Sequence, residues 1–368
     1  NLAYVNQIRN SFFVPLTFHY ILYLKIYNLF REVYRIRTPL WWINKLNEIK
    51  QWSENPNNLP SNIALPPFMS KLMLGFTVLG VPGMGKTSSL DKIFSLFDQV
   101  ILHPDLGLKQ VTHLSIECTF KGSTKQMCRS FFDELDRVAG ENYSEKYQRD
   151  SEEKLMIQMA NKIILTQMGI LRIEEVHNIC TSNRDTRQTV INFFKTLSNR
   201  IGIPIIYVGT KDAAPVLHGN YQTASRTQGI GMEPLLPFTE KDPEWNFFLD
   251  KLWDCQIFPN PGKLPEEIRK VYFEKSEGIL REVIQVHCNA QEIALLNECN
   301  SLTADHIRAT SSGLQATSIA ITGLRNKSRS VLKHFNDLQM TTAFVFNEDG
   351  SETSSGSKVE QESTKLFD

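Results

Sequence analysis

The chain has no excess of charge of either sign: 40 Lys and Arg balance 40 Asp and Glu over 368 residues. A molecule without a net field is not a general polyanion binder, so any contact with nucleic acid has to come from a local group of basic residues. Paired cysteines are also lacking. Cys118, Cys128, Cys180, Cys255, Cys288 and Cys299 are scattered, with no Cys-x-x-Cys and no metal-ligand spacing. That pattern points away from a disulfide framework or a structural zinc site and reads as reduced core thiols of a cytoplasmic protein. Long apolar runs are missing as well. The richest stretch, 12–30, is interrupted by Pro15, His19, Lys25 and Asn28, whereas a membrane span needs about 20 apolar residues in a row. No signal-peptide pattern is present, and because the chain begins at Asn1 and not Met, a few residues are expected to precede it.

What is there is unevenly distributed. Residues 1–50 hold seven Lys and Arg against two acids, and residues 341–368 hold six acids against two lysines, so the two ends are expected to meet different partners. Composition and punctuation divide the chain into four regions. A basic, aromatic extension, 1–58, carries a helical apolar pattern from Phe18 to Val33 and ends in the turn-rich stretch Ser53 to Pro60. Over 59–240, short apolar runs alternate with amphipathic stretches, which predicts an α/β core with a parallel sheet and crossover helices. Its expected strands are Gly75 to Leu79, Val111 to Ile116, Gly169 to Ile173 and Ile203 to Val208. Region 241–325 reads as a small all-α domain. Region 326–368, rich in Ser, Glu, Gly and Thr at its end, reads as a flexible acidic tail.

The sharpest feature is Gly80-Val81-Pro82-Gly83-Met84-Gly85-Lys86-Thr87, followed by Ser88, between an expected strand and an expected helix. Gly-x-x-x-x-Gly-Lys-Thr in that setting is a phosphate loop. The glycines let backbone N–H groups close around phosphate oxygens at a helix N-terminus, where the dipole favours anions. Lys86 would neutralise the β and γ phosphates of ATP, and the Thr87 hydroxyl would bind Mg²⁺. Such a site needs carboxylates at the end of a later strand for the metal and the attacking water. Glu174 and Glu175, closing Ile170-Leu171-Arg172-Ile173, supply them. Glu174 stands where Asp is usual, which makes slow hydrolysis an expectation, and Arg172 is out of place in a strand buried on both faces.

Thr210, at the tip of the fourth expected strand, is placed to orient the water or touch the γ-phosphate. Arg226 follows where a finger arginine would reach a neighbouring subunit's nucleotide, and Arg281 opens a helix of the α-helical region. Thr210-Lys211-Asp212-Ala213 only superficially resembles a guanine-specificity motif, because Ala213 stands where the decisive aspartate belongs. For nucleic acid, Lys121, Ser123, Thr124 and Lys125 combine cations, hydroxyls and a helix start, which suits a phosphate backbone without reading sequence. Arg184, Arg187 and Lys195 form a second basic group.

Together the phosphate loop, the strand-borne acid pair, the Gly209-Thr210 tip, the following arginine and Gly278-Ile279-Leu280-Arg281 resemble the AAA+ ATPases. Within that class, Leu114 to Ser123 leading into Met127 to Phe132, Glu174 to Ile179 and Val208 to Thr210 resemble the TnsC transposition regulators, which are related to TniB and MuB. The resemblance covers about residues 60–290. It implies an AAA+ core with a helical lid, and an ATP site between subunits of a ring or helical filament on double-stranded DNA. The assembly would link a target-selection protein to transposase subunits in a bacterial cytoplasm. Lys121 to Lys125 would then face the DNA, and the two terminal regions would dock partners. Two alternatives stay open: a scaffold that binds ATP without hydrolysing it, and another AAA+ DNA machine such as a helicase loader.

Overall fold

The computed structural model describes residues 2–37, 42–44, 47, 75–118, 123–198, 202–214, 217 and 232–310. The described residues all fall within one compact unit, 1–312. The boundaries expected at 58 and 325, and the tail, lie outside the described residues.

The described chain opens with two helices, α1 (Leu2–Ser11) and α2 (Thr17–Ile36). β1 (Gly75–Gly80) then leads into α3 (Lys86–Phe94). A two-stranded antiparallel hairpin follows, β2 (Val100–His103) with β3 (Leu108–Val111). The core continues as β4 (His113–Glu117), α4 (Thr124–Ala139), the single turn α5 (Tyr143–Lys146), α6 (Glu152–Leu165), β5 (Ile170–Glu174), α7 (Arg184–Thr196), β6 (Ile205–Gly209) and β7 (Met232–Leu235). Four helices close it: α8 (Pro243–Trp253), α9 (Glu266–Ser276), α10 (Leu280–Leu296) and α11 (Ala304–Ala309).

Five strands make one parallel sheet in the order β4-β5-β6-β1-β7. This is the expected α/β architecture, a parallel sheet with helices on both faces, followed by a helical region. Strand residues alternate between faces. Leu114, Ile116, Leu171, Ile173 and Tyr207 join one apolar core with Phe131, Phe132 and Leu135 of α4 and Met159 and Ile163 of α6. α4 starts as its sequence predicts, with the Ser123 hydroxyl accepting the Gln126 N–H at the N-cap. The opposite face carries Ser115, Arg172 and Glu174 and is covered by α3, against which α2 packs through Phe30 and Phe94.

The expected strand Val111 to Ile116 is in fact two. Val111 pairs antiparallel with Val100, whereas His113 pairs parallel with Ile170. Thr112 is the pivot, its hydroxyl donating to the Asp98 carbonyl at 2.6 Å.

The C-terminal helices and the N-terminal helices both close on the turn after β1. Arg281 N–H donates to the Gly83 carbonyl at 3.0 Å, and a Cβ on Gly83 would lie 2.8 Å from Ile279 Cγ2. α1 joins α10 through Arg9, which bonds Glu292 at 2.7 Å and Asn289 at 3.1 Å. Thr17 N–H reaches Glu244 of α8 at 2.7 Å. In α2, His19 is buried. Its Nδ1 accepts the Leu16 N–H at 2.9 Å and its Nε2 faces the Ser89 hydroxyl at 3.0 Å. Ser89 in turn donates to the Gly85 carbonyl at 2.6 Å. Among the described residues, no helix is long and apolar enough to cross a membrane.

Three histidines are held neutral by burial. His19, His113 and His287 each fall from an ordinary 6.5 to about 4. The folded chain resists protons that the unfolded chain accepts, so their contribution to stability is complete above pH 6.5 and is lost as pH falls towards 4. Urea midpoints measured at steps across that window should decline steadily; a flat profile would contradict this assignment.

A second expectation concerns Gly83, whose φ is +86°. Gly83→Ala forces a side chain into left-handed backbone, which costs about 1–2 kcal/mol, and pushes Ile279 and α10 away. Thermal unfolding should detect at least that loss, and loosened packing should speed hydrogen exchange at the start of α10.

Candidate nucleotide site

The phosphate loop is set by two buried elements. All six residues of β1 are buried, and Leu90, Ile93 and Phe94 anchor α3. Between them the chain must turn sharply, which Gly83 at φ +86° and Gly85 at φ +78° allow. Met84 is buried at 1% exposure and pins the turn from beneath. Val81 N–H ties it to β7 through the Leu235 carbonyl at 3.3 Å. The result is a ring of backbone at the N-terminus of α3, where unpaired N–H groups and the helix dipole favour an anion.

Lys86 folds back over this ring, its Nζ donating to the Gly80 and Val81 carbonyls at 3.0 and 3.1 Å. Burial lowers its pKa, while Glu175 and Glu174 act in the opposite sense. Phosphate oxygens would give the ammonium a stronger partner than these carbonyls.

Thr87 donates its hydroxyl proton to Glu174 Oε2 at 2.9 Å. The two residues expected to share the metal therefore meet. Burial raises the Glu174 pKa, and Arg172 and the Thr87 hydrogen bond pull it back. Glu174 Oε1 lies 3.0 Å from Arg172 Nε as an ion pair, but that N–H is directed at the Ser115 hydroxyl, 2.9 Å away. Oε1 is consequently a buried carboxylate oxygen with no hydrogen-bond donor. An oxygen of that kind fits a hard cation or its water. Among the described residues no group of three or more His, Cys, Asp or Glu forms a metal cage. The donor set is that of an ion held by one carboxylate, one hydroxyl and substrate phosphates.

Glu175 follows in left-handed backbone, φ +52°, which turns its side chain away from the direction of Glu174. Its Oε2 is 3.3 Å from His177 Nδ1. Thr210 donates to Asp212 Oδ2 at 3.3 Å. Arg281, with a largely exposed side chain, lies 3.6 Å from Glu282.

Two cavities meet at Thr87 and Glu175. One, of about 550 Å³, brings together Pro82, Gly83, Gly85, Lys86, Thr87, Ser88, Glu175, Thr210 and Arg281. The other, about 660 Å³, lies towards β4 and α4 and contains Glu174, Arg172, Ser115 and Glu117. The sequence did not disclose that Phe12, Phe13, Val14 and His19 also line the first cavity. Phe12 meets the Phe248 ring at 5.4 Å, edge to face. Phe12 to Leu16 lie in the non-helical joint between α1 and α2, where no periodicity betrays a burial pattern. Phe-Phe-Val-Pro before a helix was the only available hint.

The other expected site residues are not gathered here. Arg226 and Lys121 lie outside the described residues. Ser123 serves as the cap of α4, and Lys125 is half-buried. Thr124 is 3% exposed, which withdraws its hydroxyl from a DNA backbone. Arg187 is committed to the Cys180 and Ser182 carbonyls at 2.9 and 3.2 Å.

Residues 75–217 match the family described as AAA domain. No curated protein matches the chain in sequence. Among solved structures, the chain is similar to the ORC2 protein of Aeropyrum pernix, with 12% identity, a TM-score of 0.48, and coverage of 82% of this chain and 70% of that one. It is also similar to the Walker-type ATPase PABY2304 of Pyrococcus abyssi, with 12% identity, a TM-score of 0.41, and coverage of 81% and 75%. A third similarity is to the RuvB Holliday junction branch migration motor of Thermotoga maritima, with 13% identity, a TM-score of 0.38, and coverage of 77% and 69%. The segment that matches the AAA domain, 75–217, is the one that holds the phosphate loop and the acid pair.

Proposed function

We propose that the protein binds and slowly hydrolyses ATP with Mg²⁺, and that nucleotide state governs assembly of its copies on double-stranded DNA. The observation that carries the nucleotide part is the contact of Thr87 with Glu174 beside the phosphate loop, with Glu174 Oε1 left without a donor. Lys86 would leave its two carbonyls for the β and γ phosphates. Thr87 and Glu174 would hold Mg²⁺, whose charge offsets that of the phosphates and leaving group. Glu175 would accept the proton of the attacking water, with Thr210 orienting that water and Arg281 touching the phosphates from the lid.

The DNA part rests on the likeness of Leu114 to Phe132, Glu174 to Ile179 and Val208 to Thr210 to the TnsC regulators. On this reading the protein forms a ring or filament and links a target-selection protein to transposase subunits. Arg226 would complete a neighbour's site. Lys121, Ser123 and Lys125 would follow the DNA backbone. The four-part division at 58, 240 and 325 belongs to the same proposal, with the ends docking partners.

One observation favours a second reading, a scaffold that binds ATP without turnover: Glu175 Oε2 faces His177 Nδ1 at 3.3 Å instead of standing free for water.

Phosphate release measured with and without duplex DNA separates the two readings. Lys86→Ala should weaken ATP binding at least tenfold, since a hydrogen bond to a charged group contributes about 1.5–3 kcal/mol. Turnover by the native chain above that variant supports an ATPase, and turnover equal to it supports the scaffold. Electron microscopy with duplex DNA and a slowly hydrolysed ATP analogue should show rings or filaments; monomers would sink the assembly proposal.

A further inference from the structure

Arg172 is the residue the nucleotide chemistry leaves unexplained. It sits in the middle of β5, 7% exposed, in a sheet whose other central strands bury only apolar or small polar side chains on this face. Two residues before Glu174, it shares that residue's face. Its guanidinium joins three elements. Nη2 meets Asp91 Oδ1 of α3 at 2.5 Å, Nε donates to Ser115 Oγ of β4 at 2.9 Å, and Nε stands 3.0 Å from Glu174 Oε1. Its carbon lies 5.5 Å from the centre of the Phe94 ring. Ser115 is the direct register partner of Arg172, so the sheet itself sets the position of the fork.

Two departures from the usual end of such a strand, an apolar residue followed two places later by Asp, therefore lie in contact. A glutamate has one more methylene and one more rotatable bond than an aspartate, so its carboxylate needs a fixed neighbour to stay in one place. A buried arginine needs a buried countercharge, and Asp91 is too exposed, with 57% of its side chain accessible, to supply all of it. Each residue answers the other's requirement.

We propose that Arg172 is a positioning residue for the metal-side carboxylate. It holds Glu174 Oε1 by charge without a hydrogen bond, so that Oε2 rests on Thr87 while Oε1 keeps its lone pairs for Mg²⁺ or its water. Arg172 acts through Glu174 and does not touch the nucleotide. The inference rests on the Mg²⁺-nucleotide reading above.

The test is Mg²⁺ titration of the binding of a fluorescent, non-hydrolysable ATP analogue, with thermal unfolding in the absence of nucleotide as a companion measurement. Arg172→Leu and Glu174→Asp should each raise the Mg²⁺ concentration for half-saturation about tenfold or more, the usual scale for losing a partner of a metal ligand. The double variant Arg172→Leu/Glu174→Asp rebuilds an apolar strand ending in Asp and should return close to the native value. Arg172→Lys keeps the charge without the fork and should fall between; it serves with the double variant if Arg172→Leu does not fold. Lower thermal stability with an unchanged Mg²⁺ requirement in Arg172→Lys and Glu174→Asp would overturn the proposal. So would a double variant as defective as the worse single. If the native chain binds the analogue with no Mg²⁺ dependence, the metal reading itself fails, and the inference with it.

Discussion

The N–H of Arg281 donates to the carbonyl of Gly83, and at that bond the C-terminal helices meet the phosphate loop. The loop can accept it only because Gly83 has no Cβ, since one would collide with Ile279. The same turn is tied to the sheet's edge by Val81 and Leu235 and to α2 by Gly85, Ser89 and His19. Val81, Gly83 and Gly85 thus carry backbone contacts to the core, the C-terminal helices and the N-terminal helices. Residues from all three regions line the 550 Å³ cavity, and their common point of attachment is also where a phosphate would sit.

The parts of this arrangement that were legible in sequence are those whose chemistry is local. Gly83, Gly85, Lys86 and Thr87 announce themselves because a tight anion-binding turn before a helix admits few other residues. Glu174 and Glu175 were legible because an acid pair ends an apolar run. The start of helix α4 was legible at Ser123 and Thr124. The strands missed have physical reasons for being silent. β7 is four residues long and contains Pro234, which is tolerated because, among the described residues, β7 lies at the sheet edge and pairs only with β1. The β2 and β3 hairpin is short and partly exposed, so it carries no burial pattern. α8 is crowded with aromatics and was covered only by the general expectation of an all-α region.

The N-terminal wall of the cavity was hidden for a different reason. Seven basic residues and many aromatics in the first 50 positions suggested a surface for partners. Yet Arg9 is spent on Glu292 and Asn289, and Phe12 packs on Phe248. Composition reports which side chains a segment owns; it says nothing about which distant element will neutralise or cover them. The same holds for Arg187, whose charge is turned to carbonyls of its own connection. Arg172 is the converse case. Its oddity was visible in sequence, but its meaning was not, because Asp91 and Ser115 are brought to it by tertiary structure.

The buried polar groups of the site are arranged so that no one of them can move alone. Displacing Glu174 from Thr87 leaves Arg172 facing Asp91 and Ser115 only. Displacing α3 strains Ser89 against a histidine whose neutral form is set by its burial. Unmet polar groups in a low-dielectric interior are costly, so such a network resists displacement of any one member. A phosphate at the N-terminus of α3 would compete for Lys86, whose present partners, two backbone carbonyls, are weaker than the incoming one. The release of Lys86 is therefore the step through which ligand binding would reach the rest of the network, and Gly80 and Val81 are the first residues to feel it.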